Sequence, residues 1–361
     1  MAVLYAANSG VAIDSNNMWA TTNGGALFVS WADIKTNGTY TLAANGKTAI
    51  NINDSFTCTR ISTAVETGST TGGGFTVSGS SAIVITGNVQ GGSTPCVVCT
   101  HTGTGANGFT VVNITAGTSV NASGVNNTSS GTINCTNSTG GSNTARGIVN
   151  SSTGAVNIAG LCKGGTAAAS AGLYCSGSGA VDVLNVTGGS NGTSYGIDNE
   201  YTAVITCTGL VLGGTGVGIY NTGGGSIVAN NVTGAAGIGI NNTGTGGNVT
   251  ITGTVTAGTA GSGMSNSHTT IYPVLSGNII MVSGSVFPIS GRFIYNPGVN
   301  NYMEILKPTS GTYKYGKTIP ASSVISGVNG DGADAPAVGT YSAGASGGGH
   351  VIGSSIIRRM D

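Results

Sequence analysis

The chain has 361 residues with 11 basic and 11 acidic side chains, so its formal net charge is zero. Charge this sparse leaves no electrostatic footprint for nucleic acid or an anionic membrane surface, which excludes both as primary targets. With 66 glycines, only 7 prolines and 39% hydrophobic residues, the composition excludes collagen and a disordered chain and leaves a β-rich, turn-rich ordered protein.

Residues 1–10 lack a basic stretch followed by a long apolar run, so no secretory signal is expected, and no apolar run is long enough to span a bilayer. Folding in a reducing cytoplasm follows. The seven cysteines, Cys58, Cys96, Cys99, Cys135, Cys162, Cys175 and Cys207, are then expected as buried free thiols. Residues 1–70 contain Trp19, Trp31 and the alternating stretch 48–53, and read as an N-terminal cap or attachment region. A solenoid needs such a cap because its open end exposes a sheet edge. Regular strands start with Gly73-Gly74-Phe75-Thr76-Val77 and residues 82–86.

From there a short signature recurs: small or apolar residue, Gly, aliphatic, any residue, Asn. It reads SGVNN, RGIVN, AGLYC, YGIDN, VGIYN, IGINN and SGMSN, with glycines at 124, 147, 172, 196, 218, 239 and 263. Their separations are 23, 25, 24, 22, 21 and 24 residues, the period of a β-solenoid rung. After each glycine stand Val125, Ile148, Leu173, Ile197, Ile219, Ile240 and Met264, a core column. Two places later come Asn127, Asn150, Cys175, Asn199, Asn221, Asn242 and Asn266, an expected asparagine ladder, with Cys99 occupying that place in an earlier turn. A second strand is expected to open at Ile133, Val156, Val181, Val204, Ile227, Val249 and Ile271. The glycines are read as permitting a sharp corner. The predicted fold is all-β, a right-handed parallel β-helix over residues 71–287 with rungs of about 23 residues.

After residue 287 the period fades. The C-terminal region, 288–361, collects Arg292, Lys307, Lys314, Lys317, Arg358 and Arg359, and its Gly/Ser-rich stretch 339–353 reads as an extended arm. Within the rungs the ionisable candidates are Arg146, Lys163, Asp182, Asp198, Glu200 and His268. Asp198 and Glu200, two apart on one strand, with Asp182 in the strand before, are the candidate carboxylates for a glycosidic-bond-cleaving site. The preferred reading makes them solubilising surface residues, with no catalytic site, no cofactor and no metal. Cys96-Val-Val-Cys99 has the spacing of a zinc or redox pair, but no second pair follows, and His101 beside it is read as packed. Asp331-Gly-Ala-Asp334 lacks the glutamate of a calcium loop and reads as a turn. The many Asn-x-Ser/Thr triplets are attributed to composition.

The opening Met1-Ala2-Val3-Leu4-Tyr5-Ala6, the Gly-Gly-Phe-Thr-Val of residues 73–77, Gly87-Asn88-Val89-Gln90-Gly91-Gly92, residues 319–324 (IPASSV) and 327–332 (GVNGDG) resemble tailed-bacteriophage β-helical virion proteins. These are of the head-decoration, head-fibre, tail-fibre or spike type. The resemblance implies a homotrimer assembled in the host cytoplasm and displayed on the virion, with capsid or tail proteins and a host-surface glycan as partners. No catalytic motif carries over. The resulting expectation is a structural capsid decoration protein or fibre. The alternatives are a tailspike-like polysaccharide depolymerase and a bacterial β-solenoid adhesin or ice-binding protein, the last weakened because Thr-x-Thr pairs do not recur in one column.

Overall fold

The structure is a computed structural model. It describes residues 2–36, 39–44, 47, 50–62, 74–91, 95–117, 122–142, 144–235, 237–243, 247–253 and 255–256, with residue 37 and short strands between 257 and 358 as backbone alone. The chain folds as two compact units, Met1–Leu184 and Asn185–Asp361.

Both units are stacks of turns of about 24 residues, a β-solenoid built from two parallel sheets. Each turn contributes one short and one long strand. In the first unit the short strands include Val97–Cys99, Val125–Asn127 and Ile148–Asn150, and the long ones Ile83–Gln90, Phe109–Thr115, Ile133–Thr139 and Val156–Lys163. The sequence dictates this because β-branched residues alternate with polar ones, and period 2 puts one set inside and the other out. The inside set is the aliphatic column. Val97, Val125 and Ile148 lie in register and are fully buried, as are Ile197, Ile219 and Ile240 in the second unit.

The signature glycines have a different cause from the corner expected of them. Among the described residues none of them is in the left-handed region of φ; the glycines that are include Gly79, Gly105, Gly192 and Gly214. What they lack is room. A Cβ at Gly218 would sit 2.5 Å from the Gly239 carbonyl oxygen, and one at Gly196 2.6 Å from that of Gly218. The turns stack so closely at this point that Gly124, Gly147, Gly196 and Gly218 each rest on the backbone of the next signature glycine.

One position of the second-strand column needs correction. Ile205, not Val204, opens the strand Ile205–Leu212, in register with Ile227, and Val204 is half exposed. Ile271 lies outside the described residues, and the backbone register in that turn pairs Thr250 with Val274.

At the N-terminus the strand Val3–Ala6 pairs in parallel with Thr41–Ala43 and, on its other edge, antiparallel with Trp19–Ala20, which pairs in turn with Phe28–Val29. Antiparallel strands therefore occupy what would be an open edge. Trp19 is buried there, its indole N–H donating to the Ile13 carbonyl at 3.0 Å. A helix, Trp31–Asn37, follows a Ser30 whose hydroxyl caps it, accepting from the Asp33 N–H at 3.1 Å and donating to the Asp33 carboxylate at 2.5 Å. Trp31 packs edge-on to Phe56 with ring centroids 5.3 Å apart, and its N–H reaches Asp54 at 2.9 Å. Lys35 pairs with the same carboxylate at 2.8 Å.

Beyond residue 257 the parallel backbone pairing continues through Met264–Asn266 to Ile294–Tyr295 in the short-strand sheet. The strands Thr312–Gly316 and Val338–Ser342 form a separate antiparallel pair. Calls that fall on Asp331, Asp334 and His268 lie outside the described residues.

Candidate functional site

The interior ladder is the first polar constellation. Asn127 donates from Nδ2 to Asn150 Oδ1 at 3.0 Å in the first unit; in the second, Asn199 donates to Asn221 at 3.0 Å and Asn221 to Asn242 at 2.9 Å. All five side chains are fully buried. Cys99 stands opposite Asn127 and Cys175 opposite Asn150, as the column predicts. The amides also close the turn that follows: Asn150 donates to the Gly154 carbonyl at 3.2 Å. This constellation is sealed from solvent and serves the fold.

The cysteines and His101 are likewise committed. All seven thiols are free and buried. Burial pushes the thiols of Cys58 and Cys135 up to about 12 and those of Cys99 and Cys207 up to about 11, and it raises Cys96 as well, the opposite of what a nucleophilic or metal-binding cysteine needs. His101 is fully buried, with Nε2 2.8 Å from the Ser81 carbonyl and Nδ1 accepting from the Gly103 N–H at 3.1 Å. A backbone N–H can only donate, so Nδ1 is an acceptor and Nε2 carries the hydrogen. Among the described residues no three His, Cys, Asp or Glu side chains are grouped to hold a metal ion.

The candidate carboxylates stand on different sheets. Asp182 is exposed on the outward face of the long strand Val181–Thr187. Asp198 belongs to the short strand Tyr195–Asn199, where it is buried opposite Tyr220; Glu200 follows it and is exposed. Tyr195 stacks on Tyr220 with centroids 5.0 Å apart. Burial raises the Tyr195 phenol, and Asp198, Tyr220 and Glu200 add to that, so both carboxylates lie within electrostatic reach of one hydroxyl. Arg146 sits 3.8 Å over the Tyr174 ring, and Lys163 is exposed.

A second ladder, on the outside, was not anticipated. Several long strands shift register near their middle, between Thr57 and Arg60, Val111 and Asn113, and Cys135 and Ser138. Beyond the shift Arg60, Asn88, Asn113 and Asn137 align from turn to turn on the outward face. Asn113 donates to Asn88 Oδ1 at 2.8 Å and Asn137 to Asn113 Oδ1 at 2.7 Å. Two residues on, Gln90, Thr115 and Thr139 form a parallel column, and Arg60 Nη1 donates to Gln90 Oε1 at 3.1 Å. Between the two columns run Ile61, Val89 and Ile114, pointing inward. The outward side chains line an open groove of about 490 Å³. Asn113-Ile-Thr115 and Asn137-Ser-Thr139 are thus register partners, and the triplets attributed to composition are, at these positions, structural columns.

No protein-family model, curated protein or solved structure matches the chain.

Proposed function

We propose that the chain is a structural component of a tailed-bacteriophage virion: a β-solenoid decoration protein or fibre that self-associates as a homotrimer and docks on capsid or tail proteins. The observation that carries this reading is the commitment of the reactive side chains to the fold. The seven thiols are buried, the His101 ring is buried and hydrogen-bonded, and the polar lining of the groove on the first unit's long strands is amide and hydroxyl with one cation, Arg60. Near-zero charge removes the repulsion that keeps copies apart, which favours self-association. The resemblance in residues 1–6, 73–77, 87–92, 319–324 and 327–332 supplies the link to phage particles. Antibody labelling of purified particles in the electron microscope tests it. Label at regular sites on the head or tail is expected; a soluble monomer with no particle association overturns it.

A second reading, a host-polysaccharide depolymerase, draws on the placement of Asp198 and Glu200 near the Tyr195 hydroxyl. Release of reducing ends from capsular polysaccharide that disappears in both Asp198→Ala and Glu200→Ala would favour it over the structural role.

A further inference from the structure

We propose that the outward groove of the first unit binds a neutral, hydroxyl-rich polysaccharide strand lying along the stacking direction, one sugar residue against each turn. The groove's chemistry selects the ligand class. Its polar lining consists of Asn, Gln and Thr side chains and one cation, Arg60, with no carboxylate. Primary amides and hydroxyls each offer both donors and acceptors, which is what a surface of sugar hydroxyls requires. A phosphate or uronate polymer needs a row of cations instead.

The geometry points to a polymer and to its direction. Equivalent side chains recur at the strand spacing of about 4.8 Å, close to the rise of one pyranose in an extended chain. From the Arg60 turn to the Asn137 turn the columns cover four successive turns, a span of about 14 Å. The groove's volume of about 490 Å³ falls within the range of about 300–1,000 Å³ typical of ligand sites. The amides are also preorganised. Asn113 is bonded on both sides, to Asn88 and to Asn137, so the ladder fixes its plane and leaves the remaining N–H and lone pair of the amide directed away from the ladder bonds. The guanidinium of Arg60 is tethered by Gln90 at one end of the row. Ile61, Val89 and Ile114 behind the groove hold the strand backbone rigid. The proposal does not depend on where the protein is displayed, so it stands or falls separately from the virion assignment.

The test uses the full chain and isothermal titration with neutral oligosaccharides of one to eight hexoses prepared from cellulose, starch, mannan and mixed-linkage glucan. Polygalacturonate oligomers and heparin fragments serve as anionic counterparts. At least one neutral series should bind, with affinity rising at least tenfold from the disaccharide to the tetrasaccharide and levelling beyond about five residues. Thr115 is exposed at the centre of the groove, so Thr115→Trp fills it without touching the core and should weaken binding at least tenfold. Thr208→Trp, on the long strand Ile205–Leu212 of the second unit, should bind as the native chain does. Unchanged circular dichroism and melting of both variants separates lost binding from lost fold. The proposal is overturned if no neutral series binds at millimolar concentration, if affinity is independent of length, if anionic oligomers bind more tightly, or if Thr115→Trp binds normally.

Discussion

Asn221 is the central member of the second unit's interior ladder, and its replacement gives the sharpest test of how that ladder works. Its Oδ1 accepts from Asn199 at 3.0 Å and its Nδ2 donates to Asn242 at 2.9 Å, with no exposure to solvent. Asn221→Ala removes both bonds. Asn242 loses its Oδ1 donor, and the Asn199 amide keeps a long 3.5 Å contact to the Ala203 carbonyl. Each buried polar group left unsatisfied costs about 1–3 kcal/mol. Removing Asn221 also relieves its own desolvation, so a net loss of about 3 kcal/mol is expected. Asn221→Cys reproduces what the chain itself has at Cys175 and Cys99. It fills more of the space and retains a weak donor, so it should cost about half as much. Asn221→Asp has no N–H to offer Asn242 and places an acceptor, and at neutral pH a charge, against an acceptor; it should cost more than alanine. Urea unfolding followed by circular dichroism measures the three midpoints at constant slope. The expected order of damage is Cys, then Ala, then Asp. An alanine loss below about 1 kcal/mol, or an aspartate variant as stable as alanine, would refute the view that a continuous amide chain is what holds this turn.

Other outcomes follow from the same packing. Gly218→Ala forces a Cβ to 2.5 Å from the Gly239 carbonyl oxygen, and a loss of about 3 kcal/mol in urea unfolding is expected, whereas Gly224→Ala, whose Cβ would meet only Thr202 Cγ2 at an ordinary 3.6 Å, should be near neutral. His101→Ala strands the buried Gly103 N–H, removes the partner of the Ser81 carbonyl and empties a fully buried ring site, and should cost about 3–5 kcal/mol, read as a lowered melting temperature. The thiols make the fold sensitive to alkali. Their folded values, about 11 to 12 for Cys58, Cys99, Cys135 and Cys207, lie above the ordinary 9.0, so above pH 9 the unfolded state binds fewer protons and stability falls. Each thiol contributes up to about 1.4 kcal/mol per pH unit between pH 9 and its folded value, and the full contribution is present below pH 9. Urea midpoints that stay flat from pH 9 to 10.5 would contradict this, as would rapid alkylation of the native thiols at pH 8.

The rungs were legible in the sequence because a solenoid repeats its chemistry at a nearly fixed period. Val125, Ile148 and Leu173, with Asn127, Asn150 and Cys175 two places on, align without any knowledge of the turns between them. The one misaligned core position, Val204 for Ile205, was within reach of the same logic. The strand opens six residues after the ladder position at Ile133, Val156, Val181 and Ile227, and six after Asn199 is Ile205. The role of the glycines was hidden because steric closeness to a neighbouring turn leaves no local trace; a corner glycine and a contact glycine look alike in one dimension. The outward ladder was masked for another reason. The strand Ile83–Gln90 has one residue more before its asparagine than Phe109–Thr115 or Ile133–Thr139, so the shift in register moves Asn88 out of line with Asn113 and Asn137. The candidate carboxylates were visible as residue types, but whether Asp198 is buried or open depends on the Tyr195 and Tyr220 rings, which sequence spacing does not reveal.

The two ladders of the first unit run in opposite senses. Inside, Asn127 donates toward the higher-numbered turn; outside, Asn113 and Asn137 donate toward the lower-numbered one. Amide dipoles stacked in a single direction would add with every turn and leave opposite partial charges at the two ends of the stack, as they do along a helix. Antiparallel rows offset one another in part, although the outward row of Thr110, Asn134 and Asn157 also donates toward the lower-numbered turn. A stack wired in this way gains less of a field with each added turn than one whose rows all run in a single direction.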